Sequence, residues 1–371
     1  MRILMINSVC GIGSTGRICT DLAASFEKDG DTVKIAYGRG EVPEQHKKYA
    51  VRIGSDLDTK LHALNTRLTD RHGFCSKKAT KRFLQWAESF DPELVWLHNI
   101  HGYYINVEML FAWIKSRPHM QVRWTLHDCW AFTGHCSHFV FAGCDKWKTG
   151  CSSCPQKTKY PASFLLDHSK RNYLRKKTAF TGVPNMTLVT PSKWLADLVE
   201  KSFLQEYPTE VRYNTVDTSV FKPTPSDFRQ RCGLEGKKII LGVCFNWGEK
   251  KGLPDFIKLG TMLDDSCAIV MVGVSEKQRK ALPANILALA RTNNPRELAE
   301  IYTAADVFFN PTYEDNYPTV NLEAQACGTP VITYRTDGAP ETITDPRSIV
   351  VEQGDLDAAC KCIRQMLNKV E

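Results

Sequence analysis

The stretch 310–333, NPTYEDNYPTVNLEAQACGTPVIT, restricts this chain more than any other. Just before it, Ala305-Asp306-Val307-Phe308-Phe309 reads as a short buried strand, and at its end Pro330-Val331-Ile332-Thr333 reads as another. Between them Leu322, Ala324, Gln325 and Ala326 favour helix. Pro318 suits a first helical turn, because its missing N–H would find no intrahelical partner there. Gly328 stands where a helix C-terminus takes a left-handed residue. Strand, loop, helix, strand is the unit of a parallel sheet, so the fold class is α/β. In an open α/β sheet, ligands bind at the carboxyl ends of the strands. Here that edge carries an acidic loop and an exposed helix N-terminus.

The N-terminus repeats the theme. Arg2–Asn7 reads as a strand, followed by Gly11-Ile12-Gly13-Ser14-Thr15-Gly16 and a helix over 17–28. That is formally the G-x-G-x-x-G of dinucleotide sites. A NAD site also wants an acid after the second strand, and Thr32–Tyr37 ends in Tyr37-Gly38-Arg39-Gly40. Arg39 leaves an NADP enzyme open. Further strands are expected at Leu94–Leu97, 122–126, 187–190, 238–244 and 268–273. His98 and His127 then stand at strand ends.

At 371 residues the chain exceeds one ordinary core and suits two domains. No apolar run approaches a membrane span, and the apolar part of MRILMINSV is too short for a signal-peptide core. Fourteen cysteines without an export signal predict a reducing, cytoplasmic setting, with free thiols or metal ligands. A net charge of +7 fits an enzyme handling diphosphates, or one near anionic lipid, and does not by itself imply nucleic acid.

Residues 128–161 hold the densest Cys/His region. Cys136-x7-Cys144-x6-Cys151-x2-Cys154 offers four thiolates, and Cys-x2-Cys is the usual knuckle of a tetrahedral zinc site. The segment has too few apolar residues to order itself, so a closed structural zinc is expected to order it, with free thiols the alternative and disulfides last. Two basic runs flank aromatic residues: Lys77, Lys78, Lys81 and Arg82 before Phe83 and Trp86, then Arg171, Arg175, Lys176 and Lys177 around Tyr173 and Phe180. Each is either a solvated helix face or a contact for a membrane surface or phosphorylated acceptor.

The 310–333 segment resembles the glutamate-x7-glutamate signature of family 4 retaining glycosyltransferases. These have the GT-B fold, two facing Rossmann-like domains with a C-terminal helix packing back across the hinge. Counting back eight from Glu323 lands on Asp315, so this chain has aspartate-x7-glutamate, and Glu314 is one place too early. The resemblance implies that Glu323 holds the nucleotide ribose and Asp315 contacts the donor sugar. The amides of Thr319 and Val320 would meet the diphosphate. Lys251-Gly252 resembles the family's diphosphate-gripping pair, with Lys250 in place of the usual arginine. Leu289-Ala290-Arg291-Thr292 corresponds to the part framing the nucleobase, and Gly13 lies in the turn that approaches the donor. WTLHDCW resembles the threonine-x-histidine signature and gives His127 a place against the donor sugar.

Over nearly the whole chain NSVCGIGSTGR, LHNIHGYYIN, WTLHDCWAFTGHCSHF, GCDKWKTGCSSCPQKTKYP and PSKWLADL resemble the colanic-acid-type enzymes of exopolysaccharide assembly. The implied organisation is an acceptor domain over 1–207, with the Cys-rich insertion at 128–161. A crossover over 208–237 follows, then a donor domain over 238–354 and a last helix within 355–371. The implied reaction moves a sugar from a nucleotide diphosphate sugar to a glycan or lipid-linked acceptor, with no cofactor required for catalysis. The enzyme would be cytoplasmic, with peripheral contact at the inner membrane surface and no nucleic acid partner. Two rivals remain: a nucleotide-sugar epimerase of the same fold, and a zinc-dependent nucleic-acid module stacking bases on Trp130, Phe132, Phe139, Phe141 and Trp147.

Overall fold

The computed structural model describes residues 1–292 and 294–368. Its contacts divide the chain into two units, Met1–Arg212 and Tyr213–Glu371, with the boundary inside the stretch expected as a crossover.

The first unit holds seven strands: β1 (Arg2–Asn7), β2 (Thr32–Tyr37), β3 (Ala50–Arg52), β4 (Leu94–Leu97), β5 (Gln121–Thr125), β6 (Met186–Thr190) and β7 (Thr209–Val211). Its helices are α1 (Gly13–Lys28), α2 (Asp56–Thr69), α3 (Lys77–Phe90), α4 (Val107–Lys115), α5 (Ser169–Phe180) and α6 (Lys193–Val199). All neighbouring strands pair parallel, in the order β3-β2-β1-β4-β5-β6-β7.

The second unit has six strands: β8 (Lys238–Val243), β9 (Cys267–Val272), β10 (Ile286–Leu289), β11 (Val307–Asn310), β12 (Val331–Tyr334) and β13 (Ile349–Val351). Its helices are α7 (Phe228–Arg231), α8 (Leu253–Met262), α9 (Glu276–Arg279), α10 (Pro295–Ala304), α11 (Thr319–Ala326) and α12 (Leu356–Asn368). This sheet is also parallel, in the order β10-β9-β8-β11-β12-β13.

Both orders run outward from a reversal, between β1 and β4 in the first sheet and between β8 and β11 in the second. At such a switch point the connections leave in opposite directions and open a crevice at the strand ends. The central strands are buried on both faces. Leu4, Ile6, Val95 and Leu97 belong to one core, and Ile240, Met271, Val307 and Ile332 to another. On α12, Leu356, Ala359, Cys360 and Ile363 join the second unit's core beside Val351, so its apolar face is occupied within its own unit. The expected extension of this helix to Lys369 lies outside the described residues.

Two departures from expectation have physical causes. The stretch 41–80, for which no element was expected before its basic run at 77–82, contains α2, entered through a reciprocal capping box between Ser55 and Asp58. Its buried residues are His62 and Thr66, whereas Leu57, Leu61, Leu64 and Leu68, at helical spacing, are exposed, so the usual apolar-inside pattern is reversed. The Cys-rich stretch is also less dependent on outside help than its composition suggests. Phe132, Phe139 and Trp147 are buried together, with Phe139 and Trp147 stacked at 4.9 Å. Trp130 is buried too, which leaves Phe141 alone of the five proposed base-stacking aromatics exposed.

Candidate functional site

In the second unit the switch point joins the loop after β8 to the loop after β11. Glu249–Lys251 forms a single 3-10 turn that ends on Gly252, at φ 70°. A Cβ there would lie 2.3 Å from the Pro311 carbonyl oxygen, so only glycine lets the two loops approach this closely. Tyr313 N–H donates to the Lys250 carbonyl at 2.9 Å and fastens them.

Across this seam Lys250 Nζ pairs with Glu314 Oε2. Lys251 Nζ pairs with Asp315 Oδ2 at 2.6 Å and donates to the Glu314 carbonyl at 3.0 Å. Burial works against the Lys251 charge, but Asp315 outweighs it and holds the ammonium above its ordinary pKa. The Asp315 amide donates to Asp337 Oδ2 at 3.0 Å. Burial, and then the neighbouring Glu314 and Asp315, push the Asp337 carboxyl up to about 7.

Helix α11 begins next to these loops, after Pro318, and no side chain caps its start. Thr319 and Val320 therefore open a helix whose first amides and dipole suit an anion. Asn321 anchors α11 by accepting from Asn310 Nδ2 and donating to Thr342 Oγ1, each at 2.8 Å. Glu323, one turn on, accepts from the buried Tyr302 hydroxyl at 3.0 Å. Arg291, after β10, lies 3.5 Å over the ring of Phe245 and donates to its carbonyl at 3.2 Å. Phe245 is 74% exposed, an aromatic face standing open at the end of β8.

The structure thus brings Lys250, Lys251 and Asp315 into one ion-pair lattice, with Thr319, Val320 and Glu323 on the helix that follows. Glu314 and Asp337 belong to the same lattice; neither was named among the expected site residues, although Thr336-Asp337-Gly338-Ala339-Pro340-Glu341 reads as a loop near the phosphates or the sugar. Glu314 was passed over because the signature counts to Asp315. Yet Glu314 is only 5% exposed, and its Oε1 has no hydrogen-bond partner among the described residues. Asp337 follows the buried strand β12, and the Asp-Gly pair at a strand end was the available signal.

In the first unit, Gly13 opens α1 at φ 65° beside β1, four residues earlier than expected for that helix. His98 and His127 end β4 and β5 and face each other, His98 Nδ1 lying 3.1 Å from His127 Nε2 with the rings stacked at 5.4 Å. Burial pushes the His127 imidazole down to about 4, so it is neutral at physiological pH. His101 Nε2 meets Asp128 Oδ2 at 2.9 Å beside them.

The second basic run is not one solvated face. Arg175 pairs with Glu108 at 2.5 Å, and Lys176 is buried 3.5 Å over the Trp130 ring, donating to the Trp130 and Thr133 carbonyls. Lys177 instead lines an open cavity of about 450 Å³ with Lys148, Lys170 and Lys201.

Among the described residues no three His, Cys, Asp or Glu side chains are already drawn together as a metal site. Cys136, Cys144, Cys151 and Cys154 do line one small cavity of about 20 Å³, together with His135. Cys136 and Cys154 share a hydrogen bond. The Gly134 amide donates to Cys151 Sγ at 3.2 Å, an approach that a Cβ at 134 would block by lying 2.7 Å from Cys151 Cβ.

Solved structures share this architecture. Sucrose-phosphate synthase of Thermosynechococcus elongatus superposes on 99% of this chain and 90% of its own, with a TM-score of 0.72 at 15% identity. HepE (Alr3699) of Anabaena, solved in complex with UDP, covers 100% of this chain and 91% of its own, with a TM-score of 0.68 at 14% identity. Two doubly wound parallel sheets with these neighbours define the fold as GT-B.

Residues 226–371 match the family model described as Glycosyl transferases group 1, which makes the second unit a group 1 domain. Among curated proteins the chain is similar to WcaC of Escherichia coli K12, named for a colanic acid biosynthesis glycosyl transferase. The two are 23% identical over 358 residues, 92% of this chain and 85% of the relative.

Proposed function

We propose that the protein is a family 4, retaining hexosyltransferase. It moves a sugar from a nucleoside diphosphate sugar onto a glycan or lipid-linked acceptor in bacterial exopolysaccharide or surface polysaccharide assembly. The observation that carries this reading is the double ion pair Lys250–Glu314 and Lys251–Asp315 at a switch point, beside the uncapped start of α11. Breaking a glycosyl phosphate bond leaves extra negative charge on the departing diphosphate. Lys250, Lys251 and the Thr319 and Val320 amides meet that charge, so the chemistry calls for no bound divalent cation.

Glu323 takes the ribose hydroxyls, held in place by Tyr302. Asp315 takes the donor sugar, and Arg291 and Phe245 border the base. Neutral His127 orients a sugar hydroxyl and turns a dipole toward positive charge developing at the anomeric carbon. The acceptor attacks from the face the leaving group departs, and the leaving phosphate oxygen takes its proton. The UDP bound by HepE and the colanic acid role in WcaC's name support a sugar nucleotide donor and a polysaccharide product.

The enzyme works in the cytoplasm at the inner face of the membrane. The Lys148, Lys170, Lys177 and Lys201 cavity offers counter-charge for a phosphorylated acceptor. The four thiols around their shared cavity hold a structural zinc, with Gly134 N–H supporting Cys151. About one zinc per chain in the purified protein is the expected content; metal-free protein would end that assignment.

A thermal-shift screen of UDP-, GDP- and ADP-sugars identifies the donor, and NMR of the product reads the anomeric configuration. Inversion would overturn the mechanism, and sugar isomerisation without any acceptor would turn the reading to an epimerase.

A further inference from the structure

Helix α2 is turned inside out. Leu57, Leu61, Leu64 and Leu68 recur at the spacing of one helical stripe and are 65%, 55%, 52% and 42% exposed. The opposite stripe is polar and buried. His62 Nδ1 lies 2.8 Å from Ser76 Oγ, His62 Nε2 accepts from the Gly73 amide at 3.2 Å, and Thr66 donates to the His62 carbonyl at 2.9 Å. The side toward the core is therefore satisfied by hydrogen bonds, and the leucines are left to water.

A second segment extends the same surface. Phe164, Leu165 and Leu166 are 60%, 65% and 47% exposed. They are sewn to α2 by Phe164 N–H donating to the Arg67 carbonyl at 2.7 Å and Leu166 N–H to the Leu68 carbonyl at 3.3 Å. Isolated exposed leucines are ordinary, but a continuous surface of this kind implies an apolar occupant.

Its border is basic. Lys60, Arg67 and Arg71 are exposed along α2 and just beyond it, and Lys159 is exposed on the loop that carries Phe164. The acids nearby are engaged elsewhere. Asp56 pairs with Arg52, Asp58 caps Ser55, Asp70 holds His135, and Asp167 accepts from the Cys154 and Ser169 amides. A twofold contact between two copies would set one basic border against another, whereas an anionic bilayer complements both the leucines and the cations.

We propose that α2 and the 164–166 loop form a membrane-docking face, with the leucines and Phe164 entering the headgroup–acyl boundary of anionic lipid and Lys60, Arg67, Arg71 and Lys159 meeting its phosphates. This deepens the membrane contact proposed above, and it is tested without any sugar, so failure of the transfer reaction leaves it standing.

The full chain is sedimented with vesicles of phosphatidylcholine alone and with added phosphatidylglycerol. Strong binding to the anionic vesicles, weakened by salt, is expected. The double change Leu61→Glu with Leu64→Glu should weaken it by about 10-fold or more, with an unchanged melting temperature because both side chains face water. Leu165→Glu, on the loop, repeats the test if the helix variant fails to fold. Equal binding by variant and parent, or no preference for anionic vesicles, overturns the proposal. So does a parent dimer in solution that these changes split without any vesicle binding.

Discussion

In the second unit the loops after β8 and β11 meet through charge, Lys250 with Glu314 and Lys251 with Asp315. In the first unit the loops after β4 and β5 meet through two imidazoles, His98 and His127, 3.1 Å apart. The carboxyl edges of the two sheets thus carry opposite electrostatics, at the switch point in the second unit and one strand beyond it in the first. A diphosphate needs cations and free amides; on the proposed reading Glu314 and Asp315 hold the lysines ready and would give them up to it. A sugar hydroxyl needs a neutral group that both gives and accepts a proton, and burial keeps the imidazole in that form. The group 1 match covers residues 226–371, the part that carries the charged pairs and not the imidazoles.

The largest expected effect falls on the charged side. Lys251→Ala should lower kcat/KM by about 10³-fold, the cost of losing a donor aimed at charge that grows in the transition state. A rate near that of the parent would break the comparison at its root. On the neutral side, His127→Ala should cost about 10²-fold in kcat. With the carboxyl at about 7 removed by Asp337→Asn, kcat should stay level as pH falls through the ordinary histidine value of about 6.5 and drop only near 4, where burial holds the imidazole. An inflection at the ordinary value would show that this ledge is wetter and more charged than described.

The smallest effect is on stability. Folding raises the Asp337 carboxyl to about 7, so ionising it disfavours the folded state. That loss is absent below the unfolded value of about 4, grows up to about 7 and is complete above it. Asp337→Asn should therefore raise the melting temperature by about 2 °C at pH 8 and leave it unchanged at pH 4. A gain of equal size at both pH values would point to packing rather than charge.

The parallel sheets were legible because strands buried on both faces read as apolar runs, and Val307, Phe308 and Phe309 announce β11 without help. Lys250, Lys251 and Asp315 were legible as strand-end residues with matching motifs. Glu314 was not, since a spacing rule selects one acid and is blind to which neighbour the loop buries. Asp337 enters only through the Asp315 amide, a contact between segments 22 residues apart. Helix α2 was legible as leucines at 57, 61, 64 and 68 and was passed over; that this stripe faces water and a polar one faces the core is what the sequence does not show. The Cys-rich stretch looked unable to order itself until Phe132, Phe139 and Trp147 were seen to share one small core.

The carboxylates at the Lys250–Lys251 turn have a further consequence for an enzyme surrounded by anions. With Glu314 and Asp315 as internal placeholders, the empty enzyme presents no naked positive trap, and a stray monophosphate must evict a carboxylate to bind. On the proposed reading, a donor that brings two linked phosphates, a ribose and a base would outcompete these occupants through many contacts at once. Selectivity against the cell's phosphate pool is thus built in as a contest between ligands, settled before any bond is broken.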